Sequence, residues 1–152
     1  MRDDLFWMQK ALAQAQLAYM YDEVPVGVVI VRDNQLISCG YNQPVLTCDP
    51  TAHAEIVAIR KATHDLNNYR LPRSTLYSTL EPCAMCVGAI VHARITRLVF
   101  AATEPKSGAV VSQCYLADNY YNHRMSYTGG ILAEASRAML RQFFIAKRGK
   151  VS

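Results

Sequence analysis

The chain has 152 residues, of which 51% are hydrophobic and 18% charged, and its formal net charge is +4. This composition excludes disordered and collagen-like chains, and the length predicts a single domain over residues 1–152. The longest apolar run, residues 24–31, is far shorter than the roughly 18 residues that a membrane helix needs, so no membrane partner is expected.

Hydrophobic periodicity and turn residues predict five strands and four helices. In chain order these are a helix from Leu5 to Tyr19, strands at 26–31 and 36–41 around a polar turn, a helix that starts at Asp49-Pro50 and ends near Ala62, a strand at 75–80, a helix from Pro82 to about Ala93, strands at 97–102 and 123–128, and a helix at 131–144. The early hairpin is antiparallel, whereas strand–helix–strand units place neighbouring strands parallel. The order therefore predicts an α/β fold, a three-layer α/β/α sandwich around a five-stranded mixed sheet.

The five cysteines cannot all pair within one chain, and the N-terminal residues lack the basic start and apolar core of a secretion signal. These features predict a cytoplasmic protein with free thiols or a metal site. Three of the cysteines have no ligand-spaced partner and are expected to be buried free thiols, namely Cys39, Cys48 and Cys114.

Cys83 and Cys86 lie three residues apart at the start of a predicted helix, so their side chains share one side of its first turn. The helix dipole and free backbone N–H groups lower a thiol pKa at this position, and two thiolates are good ligands for Zn²⁺. A redox pair or two buried thiols are alternative interpretations of the same spacing. The chain has no second C-x-x-C pair, which argues against a four-cysteine structural zinc site.

His53 and Glu55 complete a candidate catalytic site. Side chains two residues apart point roughly 200° apart on a regular helix, so both reach one site only if that site lies beyond the helix N-terminus. With His53, Cys83 and Cys86 as ligands, the fourth tetrahedral position stays open for a water whose pKa zinc lowers towards about 7. Glu55 would then move protons, a task that a structural zinc ion does not require. Taken alone, a histidine such as His53 is more often an ordinary surface or core residue than a ligand.

The pattern H-x-E followed by P-C-x-x-C is the signature of the zinc nucleobase deaminases, in the cytidine and deoxycytidylate deaminase superfamily. Within that superfamily, nearly the whole chain resembles the bacterial tRNA-specific adenosine deaminases. The segments that carry the resemblance are VPVG (24–27), DPTAHAE (49–55), LEPCAMC (80–86), PKSG (105–108), NHR (122–124) and FF (143–144). Glu104 and Ile145 depart from the Asp and Arg that are usual in this family.

The resemblance implies a cytidine-deaminase-like fold, one Zn²⁺ per chain, and hydrolytic deamination of adenosine to inosine at the wobble position of a tRNA anticodon. It implies that Glu55 carries a proton from water to N1 of adenine and another to the leaving amine. The partners it implies are a tRNA anticodon stem-loop and a second copy of the chain in a homodimer. It places Asn42 against the flipped base and further residues near the RNA, namely Lys106, Ser107, Asn122, His123 and Arg124.

Two alternatives stay open at this point. A guanine or cytosine deaminase that acts on free bases would use the same chemistry, and a zinc-stabilised RNA-binding module would have no catalysis. The basic end of the chain helps to distinguish these alternatives, because an enzyme that acts on free bases would not need it. No acidic residue follows Glu134, while several basic ones do, namely Arg137, Arg141, Lys147, Arg148 and Lys150. Three of these recur at helical spacing and could share a face that contacts phosphates, although such a face is also typical of a solvated helix.

Overall fold

The computed structural model describes residues 1–119 and 122–150, with only the backbone at residue 150. Six helices and five strands lie within this part of the chain. They are α1 (Asp4–Met20), β1 (Gly27–Arg32), β2 (Gln35–Tyr41), α2 (Pro44–Thr47), α3 (Ala54–Leu66), β3 (Ser74–Leu80), α4 (Ala84–His92), β4 (Arg97–Ala102), α5 (Leu116–Asn119), β5 (Ser126–Gly129) and α6 (Ala133–Lys150). None of these helices is long and apolar enough to cross a membrane.

The strands form one sheet in the order β2-β1-β3-β4-β5. Strand β1 pairs antiparallel with β2 and β3, whereas β3–β4 and β4–β5 are parallel, so the predicted five-stranded mixed sheet is confirmed. The β1–β2 hairpin turns through Asp33 and Asn34, both at positive φ, as a tight two-residue turn of the right twist requires. The parallel strands β3 and β4 end side by side. In α/β proteins, ligand-binding sites lie at these carboxyl ends of the strands.

Helices cover both faces of the sheet, which confirms the three-layer sandwich. On one face α1 buries Trp7 and Met8 against Val29 and Val99, and α6 packs on β3 and β4 beside it. On the other face α3 and α4 enclose the larger apolar cluster, which includes Phe100 of β4. Because every central strand is covered on both sides, the sheet is a rigid base for the loops at its edge.

The helix that carries Glu55 begins later than predicted. The Asp49 carboxylate does not cap it; instead Oδ1 accepts hydrogen bonds from the backbone N–H (2.9 Å) and hydroxyl (2.7 Å) of Thr51, which closes a separate turn. Helix α3 therefore starts at Ala54, and it runs one turn further than predicted. His53 is its N-cap residue, with extended backbone at φ −66° and ψ 154°.

The second helix of the site also begins later than predicted, at Ala84 rather than Pro82. The carbonyl of Pro82 accepts a hydrogen bond of 2.9 Å from the backbone N–H of Ala109, and Cys83 forms a β-bridge with Gly108. These contacts hold Pro82 and Cys83 extended, so helical backbone starts only after them. Cys83 becomes the N-cap of α4.

Smaller differences concern short elements and one thiol. Helices α2 and α5 were not predicted, because four-residue helices carry no periodic signal. Strand β5 lies at Ser126–Gly129 rather than 123–128. Cys48 is exposed rather than buried, because it is the left-handed C-cap of surface helix α2, whereas Cys39 and Cys114 are half-buried.

Candidate active site

A cavity of about 210 Å³ opens where β3 and β4 end. Segments far apart in the sequence build it, since the loop before β1, the end of β2, two helix starts and the loop after β4 all contribute. The lining residues are Val24, Val26, Asn42, His53, Glu55, Leu80, Glu81, Cys83, Glu104 and Ser107. The tertiary fold thus brings five of the ten sequence-predicted site residues to this cavity, namely Asn42, His53, Glu55, Cys83 and Ser107.

Three potential metal ligands meet beside this cavity. His53 Nδ1 lies 3.6 Å from Cys83 Sγ and 3.5 Å from Cys86 Sγ. All three ligand atoms lie within 4.8 Å of one another, and no other such group of His, Cys, Asp or Glu occurs among residues 1–119 and 122–150. The three residues lie at the starts of two helices. His53 is the N-cap of α3, Cys83 is the N-cap of α4, and Cys86 lies in the first turn of α4.

The donor set fits zinc in its chemistry and its spacing. A tetrahedral site with Zn–S of about 2.3 Å and Zn–N of about 2.05 Å places nitrogen and sulfur about 3.6 Å apart. The two observed N···S distances, 3.5 and 3.6 Å, match this value. One imidazole nitrogen and two sulfurs are also ligands that a borderline-soft cation prefers.

Contacts within the group shift the pKa values of all three residues. The hydrogen bond from the Cys86 thiol, together with the contact to His53, lowers the pKa of Cys83 to about 4 against the opposing effect of burial. The same bond and burial raise the pKa of Cys86, and the bond to Cys83 raises the pKa of His53. The lowered pKa favours the thiolate of Cys83, the form in which sulfur ligates a metal.

Glu55 faces the cavity from the first turn of α3 and is 4% exposed. Burial raises the pKa of its carboxyl, against the opposing effects of its own backbone N–H, the Cys86 thiol and the His53 charge. A carboxyl whose pKa lies above its usual range exchanges protons more readily near neutral pH. Because His53 stands outside the helix as its N-cap, the two side chains reach the same cavity despite their spacing.

Glu81 lines the cavity as well, and sequence analysis missed it. It is 2% exposed, and its carboxylate accepts hydrogen bonds from the loop after β4. Burial by itself raises the pKa of Glu81, but the hydrogen bonds from Ser112, Val111 and Glu104 outweigh it, so the pKa is lowered. The available signal was an acidic residue directly between a predicted strand and the P-C-x-x-C motif, where burial requires a partner.

A second buried carboxylate, Glu23, lies next to the cavity-lining residue Val24. Glu23 is 2% exposed and accepts hydrogen bonds from the backbone N–H groups of Val45 (3.2 Å) and Leu46 (2.6 Å) in the first turn of α2. The segment that it holds begins at Asn42, whose backbone N–H donates to Val26 over 3.0 Å. Glu23 was likewise not identified from the sequence.

The predicted RNA-facing residues divide into two groups. Ser107 lines the cavity, and Lys106 beside it is exposed. The segment Asn122–His123–Arg124 lies elsewhere, since a ring nitrogen of His123 (Nε2) is hydrogen-bonded to the carbonyl of Ile95 over 2.7 Å. Ile95 precedes β4, so this segment is at the opposite end of that strand from the cavity. Its contact with RNA stays a prediction.

Comparisons with known proteins add to this geometry. The family described as cytidine and deoxycytidylate deaminase zinc-binding region matches residues 1–102. The chain is 48% identical over 143 residues to the tRNA-specific adenosine deaminase of Haemophilus influenzae, with 93% of this chain and 83% of that protein covered. A solved structure from a study of A-to-I editing by tRNA:A34 deaminases at the wobble position of transfer RNA has a TM-score of 0.84 at 40% identity, covering 88% of this chain and 98% of that one. The guanine deaminase of Bacillus subtilis has a TM-score of 0.64 at 38% identity, covering 67% of this chain and 66% of that one.

Proposed function

Because the chain belongs to the tRNA-specific adenosine deaminases of the zinc-binding cytidine and deoxycytidylate deaminase family, we propose that it deaminates adenosine to inosine at the wobble position of a tRNA anticodon. The observation that supports this most directly is the His53–Cys83–Cys86 group beside a buried carboxyl in one cavity. Hydrolytic deamination needs both parts, since water must be activated and protons must move between water and base.

In this proposal His53, Cys83 and Cys86 hold one Zn²⁺ per chain. When bound, the ion supplies Lewis acidity, which lowers the pKa of a water towards about 7 and makes a nucleophile available at neutral pH. Three protein ligands are typical of catalytic zinc sites, which keep a fourth position for water or substrate.

Glu55 moves the protons. One of its carboxylate oxygens accepts a proton from the attacking water and passes it to N1 of adenine, while oxygen adds at C6. The same carboxylate then accepts the proton of the hydroxyl now at C6 and donates it to the amine, so that the C–N bond breaks, ammonia leaves and the C6 carbonyl of inosine forms. This is the scheme known for zinc nucleobase deaminases. Burial suits Glu55 to it, because a raised pKa favours the carboxyl that must donate.

The cavity accepts a single base, so the nucleotide has to leave its stack, which an anticodon loop permits. Asn42 contacts the flipped base, and Ser107 lines the same cavity. Lys106, next to Ser107 and exposed, is placed to meet a phosphate. Asn122, His123 and Arg124 contact RNA away from this protomer's own cavity, which a homodimer would allow if the RNA lay across both copies.

We further propose that residues 1–152 act as one deaminase domain, that the protein is a homodimer, and that it works in the cytoplasm on tRNA. Family membership supports the three statements. Light scattering at micromolar concentration tests the dimer directly, and a mass near the 17.0 kDa of one chain would contradict it.

The decisive experiment incubates the purified protein with an anticodon stem-loop that carries adenosine at the wobble position and measures inosine. The same stem-loop with guanosine there, and free adenine, guanine and cytosine, are the controls. Inosine in the adenosine stem-loop alone is expected. Conversion of free guanine or cytosine without the stem-loop would instead assign a free-base deaminase, and RNA binding with no conversion would assign a non-catalytic module.

A further inference from the structure

The Glu81 side chain is the most heavily hydrogen-bonded carboxylate in the described residues. It lies between the end of β3 and the Pro82-Cys83 turn, and its two oxygens accept five hydrogen bonds from residues 23–31 positions away. Oε1 accepts from the backbone N–H of Glu104 (2.9 Å) and the hydroxyl of Ser112 (2.5 Å), and Oε2 accepts from the backbone N–H groups of Val110 (3.0 Å), Val111 (2.8 Å) and Ser112 (3.0 Å).

The loop that donates these bonds is shaped around the carboxylate. A Cβ atom at Gly108 would lie 2.3–2.5 Å from the carboxylate atoms of Glu81, so the loop passes at a distance that only glycine tolerates. Gly108 also bridges Cys83, and the Ala109 N–H donates to the Pro82 carbonyl over 2.9 Å. One loop therefore contacts Glu81 and the backbone of a proposed zinc ligand at once.

The same loop forms one wall of the cavity. Glu104 and Ser107 line it, and both belong to the segment whose ends Glu81 holds, at residue 104 and at residues 110–112. Between these two anchors the chain reverses, with the Gly108 N–H donating to the Glu104 carbonyl over 2.8 Å. Glu81 thus holds the wall at both ends, while the bridge from Gly108 to Cys83 and the burial of Val110 in the core hold its middle.

We propose that Glu81 is a positioning residue, which fixes the segment 104–112 against the metal-ligand turn so that Glu104 and Ser107 face the substrate nucleotide. This inference rests on the proposed deaminase function. Glu81 itself does not exchange protons with the substrate, because both of its oxygens are occupied by donors of the protein. Its role is to keep the segment 104–112 at a fixed distance from the Pro82-Cys83 turn.

Glu81→Gln tests this inference, because the amide keeps the shape but turns one acceptor into a donor that faces other donors. We expect kcat/KM for the stem-loop to fall tenfold or more, chiefly through KM, with zinc content unchanged. Asp65→Asn, on the exposed side of α3, makes a similar change away from the site and should leave both constants at parent values.

Ser112→Ala is the second variant, and it tests the positioning role of Glu81 if Glu81→Gln does not fold. It removes one of the five hydrogen bonds, and a two- to fivefold rise in KM is expected. Parent-like kcat and KM in both folded variants would overturn the inference, as would loss of zinc from Glu81→Gln, which would make Glu81 a support of the metal site. A parent protein that converts no stem-loop would overturn the proposed function instead.

Discussion

Glu55 and Glu81 are buried carboxyl groups that face the same cavity, yet their surroundings shift their pKa values in opposite directions. Burial dominates at Glu55 and raises its pKa. At Glu81 the hydrogen bonds from Ser112 and three backbone N–H groups outweigh burial and lower the pKa. The contrast shows that burial alone does not make a carboxyl suitable for proton transfer; the number of donors aimed at it decides.

The largest effect in this comparison is expected from Glu55→Ala. General acid–base groups typically contribute roughly 10²–10⁴-fold each, and Glu55 serves more than one proton transfer, so turnover should fall by about 10³-fold or more. Zinc content and far-UV circular dichroism should match the parent. Single-turnover inosine formation measures the loss, and activity within about tenfold of the parent would remove Glu55 from its proposed role.

Removal of a ligand sulfur is expected to reduce the amount of bound zinc rather than to impair proton transfer directly. Cys83→Ser or Cys86→Ser should reduce zinc after dialysis from about one ion per chain to a small fraction, because two N/S ligands hold the ion poorly. Elemental analysis measures the number of zinc ions per chain. Cys39→Ser, at a half-buried thiol outside the group, should keep the parent ratio. Full activity of a metal-free protein would contradict the zinc assignment.

Gly108→Ala tests the anchored loop through stability. The new Cβ would lie 2.3 Å from Glu81 Cδ, so carboxylate or loop must move, and overpacking of this kind costs about 1–3 kcal/mol of unfolding free energy. Urea unfolding measures the change. Gly149→Ala is the matched control, since a Cβ added there would meet no atom within 4 Å and the helix should not be weakened. Equal midpoints for both variants would mean that the loop is not held against Glu81.

The ion pair between Asp4 and Arg97, which lies outside the cavity, is expected to make stability depend on pH. Arg97 donates two hydrogen bonds of 2.7 Å to Asp4 and lowers its pKa below the ordinary 3.8. A lowered pKa contributes stability above the unfolded-state value, and this is lost as pH falls through the folded-state value. Asp4→Asn should therefore cost about 1 kcal/mol at pH 7, and its difference from the parent should shrink below about pH 4. A difference that is constant between pH 7 and pH 3 would contradict this ionic contribution.

The smallest effect is expected on the basic end of α6. Arg137 pairs with Glu134, and Lys147 pairs with Asp22 over 2.8 Å, whereas the side chain of Lys150 lies outside the described residues. Two further exposed arginines on α6 are therefore the better probes, namely Arg141 and Arg148.

If these two side chains contact phosphates, replacing both with Gln should make the slope of log affinity against log salt shallower by about 0.7–0.9 per contact. Stem-loop binding between low and moderate salt measures the slope, with zinc content as the control for an intact site. An unchanged slope would make this end of α6 an ordinary solvated helix face.

The ligand spacing and the strand pattern could be predicted from the sequence because both are local. Two cysteines three residues apart at a helix start share one side of its first turn whatever surrounds them. The β-branched run of β1 and the alternating elements that follow it were sufficient to predict the layers and the mixed sheet, since strand and helix periods differ. His53 and Glu55 were predicted as site residues because side chains at this spacing can reach one site when both lie at a helix start.

The helix starts themselves and the hydrogen-bond partners of two buried carboxylates, Glu23 and Glu81, were decided by the tertiary structure. Cys83 caps α4 because a loop about 25 residues further on pairs with it, and Glu81 is an acceptor for donors 23–31 residues away. Glu23 likewise holds a segment more than 20 residues away. No local period records such partners, because a buried charge takes its donors from whatever backbone the fold brings to it.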